Sequence, residues 1–165
     1  MRRVLIVLSS MTGFLAFLFV VSPLLAPEGT YLGLDGSPMY IDHSWGPSDI
    51  AYFLGDLLCH QMEDRCFVLN GSQMPVCIRD LGLLAGFSAG AAACIPVAER
   101  LHSRRILVIA VALMSATVVE WIVETGSGDF PMSRLATSII SGAGVALLLS
   151  WMLNQNMKRN EQALA

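Results

Sequence analysis

Four stretches of this chain are each long and apolar enough to cross a lipid bilayer: residues 4–26, 76–98, 106–123 and 135–153. A helix needs ~20 apolar residues to traverse the hydrocarbon core. Lipid offers the backbone no hydrogen-bonding partner, so a spanning segment must pair internally, as a helix or within a closed barrel. The runs are continuous rather than alternating in polarity, which predicts helices. Hydrophobic residues make up 55% of the chain and charged residues 14%, an imbalance that excludes an ordinary soluble domain. The expected fold is an all-α integral membrane protein, residues 1–165 forming a single membrane domain with four transmembrane helices.

The first run follows Met1-Arg2-Arg3, as the core of a signal peptide would. It is longer than such a core, and Leu24-Leu25-Ala26-Pro27 is a poor cleavage site, so a retained helix is expected. The cations then set the threading. Arg2 and Arg3 precede the first run, Arg100, Arg104 and Arg105 separate the second from the third, and Lys158 and Arg159 follow the fourth. With four crossings these seven share one side. The positive-inside rule makes that side the cytoplasm and puts both termini there. The expected location is the cell membrane, with the bilayer as first partner and a homo-oligomer or a larger membrane complex as open alternatives. A net charge of −3 and the lack of a basic patch outside the cytoplasmic loops exclude nucleic acid.

The outer loop, residues 27–75, carries its own signals. Tyr31-Leu32-Gly33-Leu34, Asp35-Gly36 and Pro38-Met39-Tyr40-Ile41 read as a short hairpin. Residues 48–61 read as a helix whose apolar positions Ile50, Phe53, Leu54, Leu57 and Leu58 share a face; it is too short to span and suits an interfacial or re-entrant position. A second hairpin turns at Asn70-Gly71, where both central residues need positive φ, and a two-residue turn pairs Leu69 with Ser72. That fold-back brings Cys77 toward Cys59 and His60. In the second span Gly82, Gly86 and Gly90 recur every fourth residue, and Ser138, Gly142 and Ala146 repeat the pattern in the fourth, which predicts close helix packing.

Residues 56–82 concentrate the chemistry, with three of the four cysteines, a histidine and two arginines. Thiolate, imidazole and carboxylate are all zinc ligands, and Cys77-x-x-Asp80 sets two donors on one helical turn, so Cys59, His60, Cys77 and Asp80 form a candidate site for zinc or, next, copper. Neighbours in sequence such as Cys59 and His60 can share one ion only at a helix end. A structural disulfide among Cys59, Cys66 and Cys77 is the plainer alternative on an outer face, and a catalytic dithiol a third. Cys94, among alanines, reads as packing. Arg65, Arg79 and Arg134 are the cations not placed inside. An arginine in lipid must pair, and the candidate partners are Asp80, Glu120 and Glu124, the last two i,i+4 on one helix face. Such a network either fixes helix register or, with Arg65, Arg79, Arg134 and Glu124, binds an anionic substrate such as a lipid phosphate. In that case His60 or Glu120 moves protons as the catalytic group. His43 and His102 read as solvated, and Trp45, Trp121 and Trp151 as interfacial anchors.

The ordered set Cys59-His60-Gln61, Arg65-Cys66-Phe67, Gly71, Pro75-Val76-Cys77, Arg79-Asp80 and Gly82 resembles the membrane proteins grouped as domain of unknown function 2085. A looser echo continues through Glu120-Trp121, Glu124, Arg134, Thr137 and Gly142. The resemblance implies a small multi-helix membrane protein, and implies that position 80 holds either Cys or Asp, both able to coordinate metal. It implies no activity. No nucleophile elbow, phosphate loop or dinucleotide fingerprint occurs, so an enzyme assignment stays open. An accessory subunit with a disulfide-stapled outer loop is the third functional class the sequence allows.

Overall fold

The computed structural model describes residues 1–34, 46–128 and 130–164. The described residues form helices α1 (Arg2–Leu25), α2 (Asp49–Leu58), α3 (Ile78–Cys94), α4 (Arg104–Ser127) and α5 (Pro131–Leu164), with a small hairpin of β1 (Val68–Leu69) and β2 (Ser72–Gln73). Three segments, Arg2–Leu25, Arg104–Gly126 and Pro131–Arg159, are long and apolar enough to cross a membrane. Their apolar side chains largely face outward, as with Phe14 at 66% and Val108 at 68% exposed, a surface that suits lipid and not water.

The expected second span is shorter than its apolar run. α3 has 17 residues, about 26 Å at ~1.5 Å per residue, beside a hydrocarbon core ~30 Å thick. Prolines trim it at both ends. Pro96 has no N–H and disfavours helical backbone at Ile95, so the chain leaves the helix after Cys94. Pro75 keeps the upstream residues extended.

The chain forms two compact units, one of Met1–Gly13 and Gly82–Ala165, the other of Phe14–Leu81. In the first, the two small-residue stripes meet each other. A methyl group on Gly82 would lie 2.7 Å from Ser138 Cβ, one on Gly90 2.8 Å from Ala143 Cα, and one on Gly142 2.7 Å from the Phe87 nitrogen. Only residues without a side chain let α3 and α5 approach this closely. Polar glue adds to the packing. Thr117 of α4 donates its hydroxyl to Ser141 Oγ of α5 at 2.6 Å. Ser9 of α1 and Ser88 of α3 each donate to the other's carbonyl, at 2.9 and 2.8 Å. Cys94 is packing, as expected, clustered with Leu5, Ala98 and Leu101.

In the second unit the expected Asn70-Gly71 hairpin forms with the expected register, Leu69 opposite Ser72. Both turn residues have positive φ, 51° and 67°. One more bond, Met74 N–H to Phe67 O at 2.9 Å, extends the ladder. It stops at Pro75, which has no donor. The Asn70 side-chain amide donates to the Pro23 and Ala26 carbonyls at 3.3 and 3.1 Å, satisfying acceptors at the C-terminal end of α1. The hairpin expected around Asp35-Gly36, together with His43 and Trp45, lies outside the described residues.

α2 occupies most of the expected 48–61 segment, and it packs through the face opposite its apolar side chains. Its buried residues are Asp49, Ala51, Tyr52 and Gly55, whereas Ile50, Leu57 and Leu58 are exposed. Close approach explains the choice. A methyl group on Gly55 would lie 2.7 Å from Gln61 Nε2 and 2.9 Å from the Pro75 carbonyl carbon, so the small residues form the contact. Tyr52 stacks on Tyr31 with centroids 3.6 Å apart and donates its hydroxyl to Gln73 O at 2.6 Å. Tyr31 donates to Asp49.

Candidate metal centre

Three ligand atoms converge in the second unit. One each from Cys59, Cys77 and Asp80 lie within 4.8 Å of one another. Each owes its position to the local backbone. Cys59 is the residue after α2, where the chain turns from helix to extended backbone at φ −141° and ψ 148°. Cys77 precedes α3 directly and Asp80 lies in its first turn, so the two share a face three residues apart.

Both sulfurs receive backbone hydrogen bonds. Cys77 N–H donates to Cys59 Sγ at 3.2 Å, and Asp80 N–H to Cys77 Sγ at 3.4 Å. The Cys77 thiol also donates to Asp80 Oδ2 at 3.2 Å. Donors aimed at sulfur favour thiolate, the form that ligates metal. The hydrogen bond with Cys77, then burial, then Asp80 push the Cys59 thiol well above its ordinary range, while backbone donors from Gln61 and Cys77 pull against them. Cys66, buried nearby in sequence, has its thiol pushed up to about 11, chiefly by burial. All four cysteines are unbridged.

A cavity of about 440 Å³ opens on the cluster, lined by Cys59, Cys77 and Asp80 together with Leu58, His60, Gln61, Met62 and Arg65. His60, expected as a fourth ligand, lines this cavity but is exposed and stands outside the convergent set. The extended backbone after α2 accounts for this, since successive side chains there point to opposite sides. Gln61, whose backbone turns out of the extended region at φ 45°, is 1% exposed.

Gln61 and Gln73 are the residues that sequence reading passed over. Gln61 Nε2 donates to Pro75 O at 2.9 Å and to Tyr52 O at 3.4 Å. Gln61 Oε1 is closed off from solvent with no donor among the described residues. Gln73 is also 1% exposed; its side chain donates to Gln61 O and accepts from Leu34 N–H at 3.1 Å. A glutamine two residues after Cys59 and another four before Cys77 were the only signal.

The other candidates divide between the units. Arg65 ends the short 3-10 turn Glu63–Arg65, is exposed, and stands 3.8 Å from Asp64. Arg79 sits in the first turn of α3. Arg134 belongs to the first unit, where it is 7% exposed and paired with Glu124, one of the partners expected for it. Glu120 and Glu124 line a separate cavity of about 370 Å³ with Ser133 and Thr137 of α5.

These observations define a helical membrane protein with a thiol–carboxylate cluster at a helix start. The chain belongs to the family described as predicted membrane protein (DUF2085), which it matches over residues 59–148, more than half its length. The match begins at the first cluster cysteine and ends within α5. No curated protein and no solved structure matches the chain.

Proposed function

We propose that the protein is a four-span cell-membrane protein that holds a metal ion, zinc before copper, at Cys59, Cys77 and Asp80 on its extracytoplasmic face. The convergence of three ligand atoms within 4.8 Å carries this reading. Two thiolates and a carboxylate suit zinc, and the paired sulfurs also suit copper(I). Zinc completes a tetrahedron with a fourth donor, which water or a swung His60 supplies from the open cavity. Three protein donors and one open position are the pattern of sites that act on a ligand rather than merely staple the fold.

The threading rests on the cations. α3 at 17 residues is at the lower limit for a span, and counting it as a crossing gathers Arg2, Arg3, Arg100, Arg104, Arg105, Lys158 and Arg159 on one side. The exposed apolar face of α2 then suits the outer lipid interface.

The test is metal content and free-thiol count of the detergent-purified protein against Cys77→Ser and Asp80→Ala. About one equivalent of zinc or copper in the wild type, lost in both variants, supports the site. No metal, with two thiols unreactive until reduction, replaces it by a second reading. That reading is a Cys59–Cys77 disulfide in an accessory subunit, and the closeness of Cys77 N–H to Cys59 Sγ favours it. The anionic-substrate reading is weaker, because Arg134 is already engaged by Glu124; it requires Arg79→Lys or Arg134→Lys to abolish binding while Cys77→Ser is mild.

A further inference from the structure

A second cavity, of about 640 Å³, lies in the first unit where α4 begins and α5 ends. Arg104, Lys158 and Arg159 line it with His102, Trp151 and Gln155, and no carboxylate is among its lining residues within the described part of the chain. Its wall is preformed. Asn154, 7% exposed, donates its amide to Ala98 O at 3.0 Å, and Gln155 donates to His102 O at 3.0 Å. These two bonds hold the 98–102 turn against α5.

Depth in the membrane follows from the spans themselves. Arg104 opens α4 just ahead of its apolar run, and Lys158 and Arg159 follow the apolar part of α5. All three therefore stand beyond the ends of apolar runs, whichever way the chain is threaded. Trp151 lies two turns below Lys158 along α5, at the level where indole rings favour the interface.

We infer that this cavity binds the phosphate of an anionic lipid headgroup. Guanidinium forks from Arg104 and Arg159 grip phosphate oxygens in pairs, and Lys158 adds a point charge. A concentration of cations at the end of a span is what such a headgroup requires. The site is separate from the cysteine cluster and does not depend on metal.

The test uses the full chain, delipidated and placed in nanodiscs of zwitterionic lipid with or without phosphatidylglycerol. Retained lipid is read by native mass spectrometry and thermal stability by tryptophan fluorescence. The expected result is about one anionic lipid held by the wild type. The double variant Lys158→Gln/Arg159→Gln should weaken retention by more than tenfold, at roughly fivefold per cation. Arg104→Lys, which keeps charge and fold but loses the fork, should weaken it severalfold. Arg100→Gln, which removes a cation that does not line the cavity, should change it less than twofold. An equal loss with Arg100→Gln would mean a diffuse field and no site. Stabilisation by inorganic phosphate equal to that by lipid would mean a free-anion site. Either result overturns the inference.

Discussion

The side-chain amide of Gln61 donates to the Pro75 carbonyl at 2.9 Å, and so ties the segment carrying Cys59 to the segment carrying Cys77. Each end of this link is two residues from a cysteine. The separation of the two sulfurs is thus set by a buried amide rather than by the cysteines themselves.

Gln61→Leu should therefore act on metal affinity more than on folding. It leaves the Pro75 carbonyl without its donor, a loss of ~1–3 kcal/mol. Supporting groups of this kind typically change metal affinity by ~10–100-fold. Competition titration with a chromophoric zinc chelator measures the change. Affinity unaltered in a folded variant would remove Gln61 from the positioning role.

Gly55→Ala probes the same clamp from the helix side. A methyl group there meets Gln61 Nε2 at 2.7 Å and the Pro75 carbonyl carbon at 2.9 Å, and the Pro75 backbone leaves little room to yield. Overpacking of this kind costs ~1–3 kcal/mol. A fall in melting temperature is expected, and an unchanged melting curve would count against the close approach.

Gly90→Leu tests the stripe joining α3 to α5. The added side chain must displace Ala143, whose Cα is only 2.8 Å from where its Cβ would lie. Lower yield of folded protein and earlier unfolding in detergent are expected. Leu at Gly126, where a Cβ meets nothing within 4 Å, is the matched control and should be neutral.

Cys66 offers a pH readout. Burial raises its thiol from 9.0 to about 11, so the neutral form persists at pH 8. Thiolate is the reactive species, and a shift of this size slows alkylation roughly a hundredfold relative to an ordinary cysteine. In a Cys59→Ser/Cys77→Ser/Cys94→Ala background, iodoacetamide labelling should stay slow at pH 8 and accelerate as pH climbs toward 11. Rapid labelling at pH 8 in folded protein would contradict the buried thiol.

What the sequence made legible followed from short-range rules. Asn70-Gly71 dictated its turn because positive φ at two successive residues leaves few alternatives, and the register came with it. The glycine stripe was visible because its spacing matches a helix face, and its partner stripe on α5 obeys the same spacing. The face by which α2 packs was not legible. The shared apolar face of Ile50, Leu57 and Leu58 was visible, but the contact is made by small residues such as Ala51 and Gly55, which no hydrophobic pattern marks. His60 lines the same cavity without joining the convergent set, because its side chain depends on how the chain leaves the helix. Gln61 and Gln73 work over distances of 9 to 39 positions, which no local pattern encodes.

Cys59 and Cys77 stand 18 positions apart, and the chain between them doubles back once, at Asn70-Gly71. A link through the two sulfurs, by ion or by disulfide, closes that stretch into a ring. Closing a loop of this size withholds freedom from the unfolded chain, an effect of ~3 kcal/mol. The durability of the 59–77 segment is then set by its surroundings as much as by its sequence. A compartment rich in metal or oxidant fastens the clasp, one that chelates or reduces loosens it, and resistance to heat or protease reports which condition the protein has met.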